Sequence, residues 1–70
     1  MKTIFCRRLK ELRLEKNLRQ LDVAKVMYVA CNTISNWERG RNSPSLEELG
    51  VLARFFEVPA DYLLGLVDIY

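Results

Sequence analysis

The sequence predicts an all-α domain built from five short helices, and three observations carry that prediction. Apolar residues recur at helical spacing in five separate pieces of the 70-residue chain. Nowhere do Val, Ile and Thr alternate with polar residues over the length of a strand. Helix punctuation divides the pieces: Asn17, Gly40, the run Pro44-Ser45, Pro59 and Gly65. A chain this short has room for one domain, residues 1–70. Such a domain buries only roughly 60% of its unfolded surface, which makes association with a second copy an expectation.

The first helix is expected over about residues 4–16, with Phe5, Leu9 and Leu12 in one apolar stripe and Arg7, Lys10 and Lys16 in water. Asn17 should end it, because Asn tolerates the left-handed conformation of a helix C-terminus. The second runs over about 20–27 and buries Val23, Ala24 and Met27. The third, about 31–38, has Ile34, Trp37 and Glu38 on one side and stops at Gly40. The fourth begins after Pro44, where Ser45 and Glu48 form an S-x-x-E capping box. Leu46, Leu49, Ala53 and Phe56 supply its stripe, widened by Leu52. The fifth, about 59–64, opens on Pro59, which suits a first helical turn. Gly65 ends it and leaves an apolar tail over residues 65–70. Only Tyr28, Val29 and Ala30 join the second helix to the third, so those two must cross at a large angle.

Composition narrows the function. The chain has no His and two Cys, Cys6 and Cys31, which rules out a Cys/His zinc site by ligand count. Neither Cys lies in a CxxC pair, so both are expected as reduced thiols, with Cys31 near an exposed helix start as the sharper redox candidate. No catalytic constellation or cofactor motif is present. No apolar run approaches a membrane span, and the N-terminal MKTIFCRRLK lacks the pattern of a secretory signal. A cytoplasmic protein without a membrane partner is expected, and one too short to carry a separate effector domain.

Net charge is only +2, yet it is unevenly placed. Residues 1–41 hold ten Lys and Arg against four acids; residues 42–70 hold one base, Arg54, against five acids. A polyanion partner for the first part fits that asymmetry, as do ordinary solvated helix faces. The third helix decides between them. Its outer side carries short polar side chains rather than Lys and Glu. Asn32 and Asn36, four apart, share a face, and Asn can bond adenine in a bidentate manner in the major groove. Arg39 and Arg41 follow at its end, placed for phosphates.

The stretch LRQLDVAKVMYVACNTISNWERGRNSPSLEELGVLARFFEVPADYLLG resembles the phage-repressor-like (Cro/Xre) helix-turn-helix DNA-binding family. The match rests on Gln20, Ala24, Val29, the run Ile34-Ser35-Asn36-Trp37-Glu38 with Gly40, and Pro44, Leu46, Leu49, Leu52-Ala53 and Val58 through Leu64. It covers about residues 5–66. The resemblance implies a compact five-helix lambda-repressor-like domain, its helix-turn-helix at helices 2–3 (about residues 20–38). It implies Cys31, Asn32 and Asn36 as base readers. Gln20, Thr33, Arg39, Arg41 and Asn42 would then touch the DNA backbone, and an Arg13–Glu38 ion pair would tie the first helix to the recognition helix.

Three positions depart from the family pattern. Tyr28 stands where Gly is common, in a turn that often needs positive φ. Ala30 cannot cap the recognition helix as Ser or Thr would, at about 1 kcal/mol. Cys31 offers a weakly hydrogen-bonding thiol, so base reading would rest on Asn32 and Asn36, with Cys31 against a thymine methyl. The expected function is sequence-specific double-stranded DNA binding by a transcriptional regulator. It would be a repressor acting as a homodimer on an inverted repeat and paired through the fifth helix and the tail. The alternatives on the same scaffold are an antitoxin with a toxin partner and a protein-interaction module.

Overall fold

A computed structural model describes residues 2–68, with side chains from Ile4 onward. Five helices follow in order: α1 (Lys2–Glu15), α2 (Gln20–Met27), α3 (Cys31–Arg39), α4 (Leu46–Phe56) and α5 (Ala60–Leu64). The described residues contain no strand. The expected helices are all present, with ends displaced by up to two residues. The largest displacement is at the start of α1, and Pro59 proves to be the residue before α5 rather than its first turn.

The five helices end alike. Asn17, Tyr28, Gly40, Glu57 and Gly65 each adopt a left-handed conformation, with φ between 57° and 83°. In each case the next residue's N–H reaches back to a carbonyl five residues earlier, as in Leu18 to Arg13 (3.0 Å) and Val29 to Ala24 (3.1 Å). This closure satisfies carbonyls that a helix end would otherwise leave open. In four of the five, an apolar residue follows the left-handed one: Leu18, Val29, Val58 and Leu66. Val58 is buried, and Leu18 and Val29 pack on the core. Tyr28 therefore takes up the conformation that its position demands, at the steric cost of a Cβ. Its ring is 95% exposed and gains no packing in return.

One core unites the helices. Phe5, Leu9 and Leu12 of α1, Val23, Ala24 and Met27 of α2, and Ile34 and Trp37 of α3 are buried together with Leu49, Leu52, Ala53 and Phe56 of α4. Val58 and Leu63 complete it. α3 packs on α2 and α1, while α5 closes the far side against α1 and α4. Leu46 corrects the sequence expectation. Its spacing places it in the stripe of α4, yet it is 87% exposed. Leu46 is the first residue of α4 and lies at the edge of the buried arc, about 20° beyond Ala53 at 100° per residue, so angle alone does not bury it.

Two arginines are buried, and each is fully engaged. Arg13 meets Glu38 side-on, Nε to Oε2 at 2.7 Å and Nη2 to Oε1 at 3.0 Å, and donates its Nη1 to the Leu18 carbonyl at 2.9 Å. Both partners of the pair are nearly inaccessible. Glu38 raises the Arg13 pKa above its ordinary value through that hydrogen bond. Arg8 donates to the carbonyls of Tyr62 and Val67 (2.6 Å for the latter) and lies 4.2 Å from the centre of the Tyr62 ring. It also touches Asp68 at 3.4 Å. The main chain of the tail is thereby held against α1, while Leu66 and Val67 keep exposed side chains. Ile69 and Tyr70 of the expected pairing tail lie outside the described residues.

α2 begins with half of a capping box. The Asp22 carboxylate accepts the Arg19 backbone N–H at 2.7 Å, but a guanidinium has no acceptor to return the bond. Arg19 compensates by donating Nε and Nη2 to the same carboxylate. The Arg19 side chain, and after it the Arg19 N–H, hold the Asp22 pKa down to about 2. At α4 the box is complete: Ser45 Oγ accepts from Glu48 N–H, and Glu48 accepts from Ser45 N–H.

Arg13→Met should cost about 3–5 kcal/mol in urea unfolding, because it leaves Glu38 buried without its cation; adding Glu38→Leu should recover much of the loss. Tyr28→Gly should raise stability by about 1 kcal/mol by removing the left-handed penalty. The Asp22 carboxyl ionises more readily in the folded chain than its ordinary value of 3.8. Its contribution is therefore present above about pH 4 and lost as pH falls toward 2. Thermal melts between pH 2 and 5 should fall less steeply for Asp22→Asn than for the wild type.

Candidate nucleic-acid interface

The polar side of α3 follows from its burial pattern. Ile34 and Trp37 fix one side of the helix in the core, and Glu38 is drawn inward by Arg13. The opposite side then carries Asn32, Ser35, Asn36 and Arg39, at spacings that form one stripe on a helix of 3.6 residues per turn, while Cys31, seven residues before Glu38, lies at the flank. Cys31, Asn32 and Arg39 are exposed, and Ser35 and Asn36 half-buried. Gly40 closes the helix with φ 78°, and Arg41 and Asn42 follow in the open.

Gly40 is favoured on two counts. The left-handed φ favours it, and a Cβ there would stand 3.3 Å from the Cys6 sulfur of α1. Cys6 and Cys31 are both free thiols, one half-buried and one exposed.

The residues expected at the interface divide into two groups. Asn32, Asn36, Thr33, Arg39, Arg41 and Asn42 make no side-chain hydrogen bond or ion pair within the protein among the described residues. Their donors and acceptors are open to a ligand. Gln20 differs. It is half-buried, and its Nε2 donates to Glu38 Oε1 at 3.1 Å. The first residue of α2 is thus wired to the pair joining α1 and α3, and one end of its amide is already in use. Arg13 and Glu38 themselves face the core and offer nothing to a ligand.

Two residues were given no role by the sequence. Ser35, one of the small polar side chains of α3, flanks Asn32 on the polar stripe on the side away from Asn36; its position at i+3 from Asn32 was the available signal. Arg8 carried no signal, because a buried arginine and a solvated one look the same in a basic helix.

No group of three or more His, Cys, Asp or Glu able to hold a metal occurs among the described residues. No helix there is long and apolar enough to cross a membrane. A short helix with an uncommitted polar stripe and cations at its C-terminal end has the width and chemistry to enter a major groove.

Comparison with known proteins gives consistent results. A helix-turn-helix family model matches residues 9–63. The chain is 42% identical over 61 residues to the HTH-type transcriptional activator BcrR of Enterococcus faecalis, covering 87% of this chain and 30% of that protein. It is 42% identical over 66 residues to the HTH-type transcriptional regulator DdrOP3 of Deinococcus deserti, covering 94% and 51%. It is 39% identical over 62 residues to the cryptic phage CTXphi transcriptional repressor RstR of Vibrio cholerae, covering 89% and 56%. The chain thus spans between about a third and just over half of these relatives. Among solved structures, a transcriptional regulator from Listeria innocua superposes with a TM-score of 0.85 at 30% identity, over 90% of this chain and 59% of that one. The restriction-modification controller protein C.AhdI of Aeromonas hydrophila superposes with a TM-score of 0.79 at 29% identity, over 89% and 94%.

Gly40→Ala should lower stability by about 1–2 kcal/mol, through the left-handed penalty and the crowding of Cys6, and thermal denaturation would measure it.

Proposed function

We propose, for a chain that belongs to the Cro/Xre-like helix-turn-helix family, that it is a cytoplasmic, sequence-specific double-stranded DNA-binding repressor acting as a homodimer on an inverted repeat. The observation that carries the reading is the open polar stripe of α3 on a helix otherwise anchored by Ile34, Trp37 and Glu38. Every large or charged group on the inner side is committed. The side chains of Asn32 and Asn36 are free to bond base edges.

The division of labour follows from position. Asn32 and Asn36 read bases, with adenine the favoured partner of each amide. Cys31, at the start of the helix, offers a thiol that bonds weakly and packs readily, which suits a thymine methyl. Thr33, Arg39, Arg41 and Asn42 hold phosphates and fix the helix in register. Gln20 reaches a phosphate with the end of its amide that Glu38 leaves open. Glu38 orients Gln20 while Arg13 orients Glu38, so the backbone contact and the recognition helix are set by one cluster.

One such domain spans only a few base pairs, and a two-fold dimer doubles the site. Its recognition helices would stand about 34 Å apart, one turn of DNA. The exposed apolar surface from which a pairing contact is drawn lies at Leu66 and Val67 in the tail and at Leu46 and Val51 on α4.

Selection of binding sites from random duplex DNA tests the function directly. An enriched inverted repeat with half-sites about one turn apart is the expected result; no enrichment at low salt would overturn sequence-specific binding. Asn36→Ala should weaken binding to the selected site by about 1–3 kcal/mol and relax one base position. Arg41→Ala should weaken binding to all sequences and reduce the slope of log K against log salt by about 1.

A further inference from the structure

We infer that the outer face of α4 is a self-complementary surface on which a second copy of this chain docks antiparallel. The inference rests on the homodimer reading and names its seam. Glu47, Gly50, Val51 and Arg54 share an arc of about 100° on α4, on the side away from the buried Leu49, Leu52, Ala53 and Phe56, and Leu46 lies at its edge next to Ala53. All five are exposed.

Three features of this face lack a contact within the protomer, although Glu47 in the first turn and Arg54 in the last also complement the α4 dipole. Leu46 is 87% and Val51 45% exposed, on the two flanks of this face. Gly50 stands in mid-helix with nothing within 4 Å of a Cβ built upon it. A glycine there weakens the helix by about 1 kcal/mol relative to alanine, and neither φ nor crowding in the protomer requires it. It does permit another backbone to approach closely. Finally, Glu47 and Arg54 have no ion-pair partner among the described residues. Arg54 is the one base in residues 42–70.

The spacing of these residues identifies the occupant. Glu47 and Arg54 are seven residues apart, two helical turns or about 10 Å along the axis, on the same side of the helix. The midpoint between them falls between Gly50 and Val51. A two-fold axis through that point sets Glu47 against Arg54 of the second copy and Arg54 against its Glu47. Gly50 and Val51 lie at the crossing, where the missing side chain allows the helices to close. An isologous contact requires a patch that complements itself in this way. An acidic or a basic partner would meet one matching charge and one opposing one. A second copy meets two matches.

Charge exchange followed by sedimentation equilibrium tests the seam. Both residues are exposed and unpartnered in the protomer, so Glu47→Arg and Arg54→Glu should fold as the wild type does by circular dichroism. Each alone sets like charges against each other twice, and the dimer dissociation constant should rise roughly tenfold or more. An equimolar mixture of the two variants should regain the wild-type constant, because the mixed pair restores both attractions. Gly50→Gln should melt higher than the wild type yet dimerise less.

Dimers of either charge variant as tight as the wild type, or a mixture no tighter than its components, would overturn the α4 seam. If the charge variants stay dimeric while deletion of residues 66–70 yields monomers, the tail is the seam and the homodimer stands. A wild-type chain that is monomeric at all concentrations and occupies single half-sites on DNA would overturn the homodimer and the seam together.

Discussion

The Arg13–Glu38 pair is the constraint on which the rest of the structure depends. It joins three helices through four groups: the guanidinium of α1, the carbonyl of Leu18 in the first turn, the amide of Gln20 at the start of α2, and the carboxylate near the end of α3. The carboxylate accepts three bonds and the guanidinium donates three, so neither charge is buried without partners. A well-packed apolar substitute could match its stability. Its distinctive contribution is orientation, since a bidentate pair fixes the roll of α3 about its axis, which an apolar contact fixes poorly. That roll decides which side chains face outward.

The turn between α2 and α3 shows the opposite use of energy. Tyr28 is held left-handed and Ala30 gives the next helix no side-chain cap. Both choices are unfavourable locally. The turn persists because Val29 packs against the core between them and α3 is buried through Ile34 and Trp37. Tertiary packing of two short helices offsets about 2 kcal/mol of combined local penalty. Helices of eight and nine residues would be marginal in isolation in any case. The helix-turn-helix is therefore a product of the whole core, α1 included.

The two buried arginines illustrate how one residue type serves opposite ends of the molecule. Arg13 organises the basic half and its polar stripe. Arg8, one and a half turns earlier on α1, gathers the carbonyls of Tyr62 and Val67 and stacks on Tyr62. The first helix thus braces the recognition helix with one guanidinium and the C-terminal end with the other. Both are satisfied by carbonyls or carboxylate in fixed directions, a task suited to the planar fork of arginine and poorly suited to lysine.

The sequence by itself determined the helices, because their signals are local. Period, capping box and left-handed stops act over three to five residues, and Asn17, Gly40, Ser45 with Glu48, and Gly65 marked the ends where the structure has them. The core stripes of α1, α2 and α3 were legible for the same reason, and family resemblance supplied the roles proposed for Gln20 and Cys31. Tertiary structure decided what depends on partners distant in the chain. Leu46 fits a helical stripe yet lies outside, since burial depends on where the neighbouring helices end. Arg8 is as basic as Arg7 yet is buried, since carbonyls more than fifty residues away receive it. Glu57 carries no stop signal but turns left-handed because Val58 must reach the core. Gln20 shares its amide with Glu38 through a contact no spacing rule encodes. Local conformational preference is written in neighbouring residues, whereas the partner of a buried charge and the exposure of a helix end belong to the assembled fold.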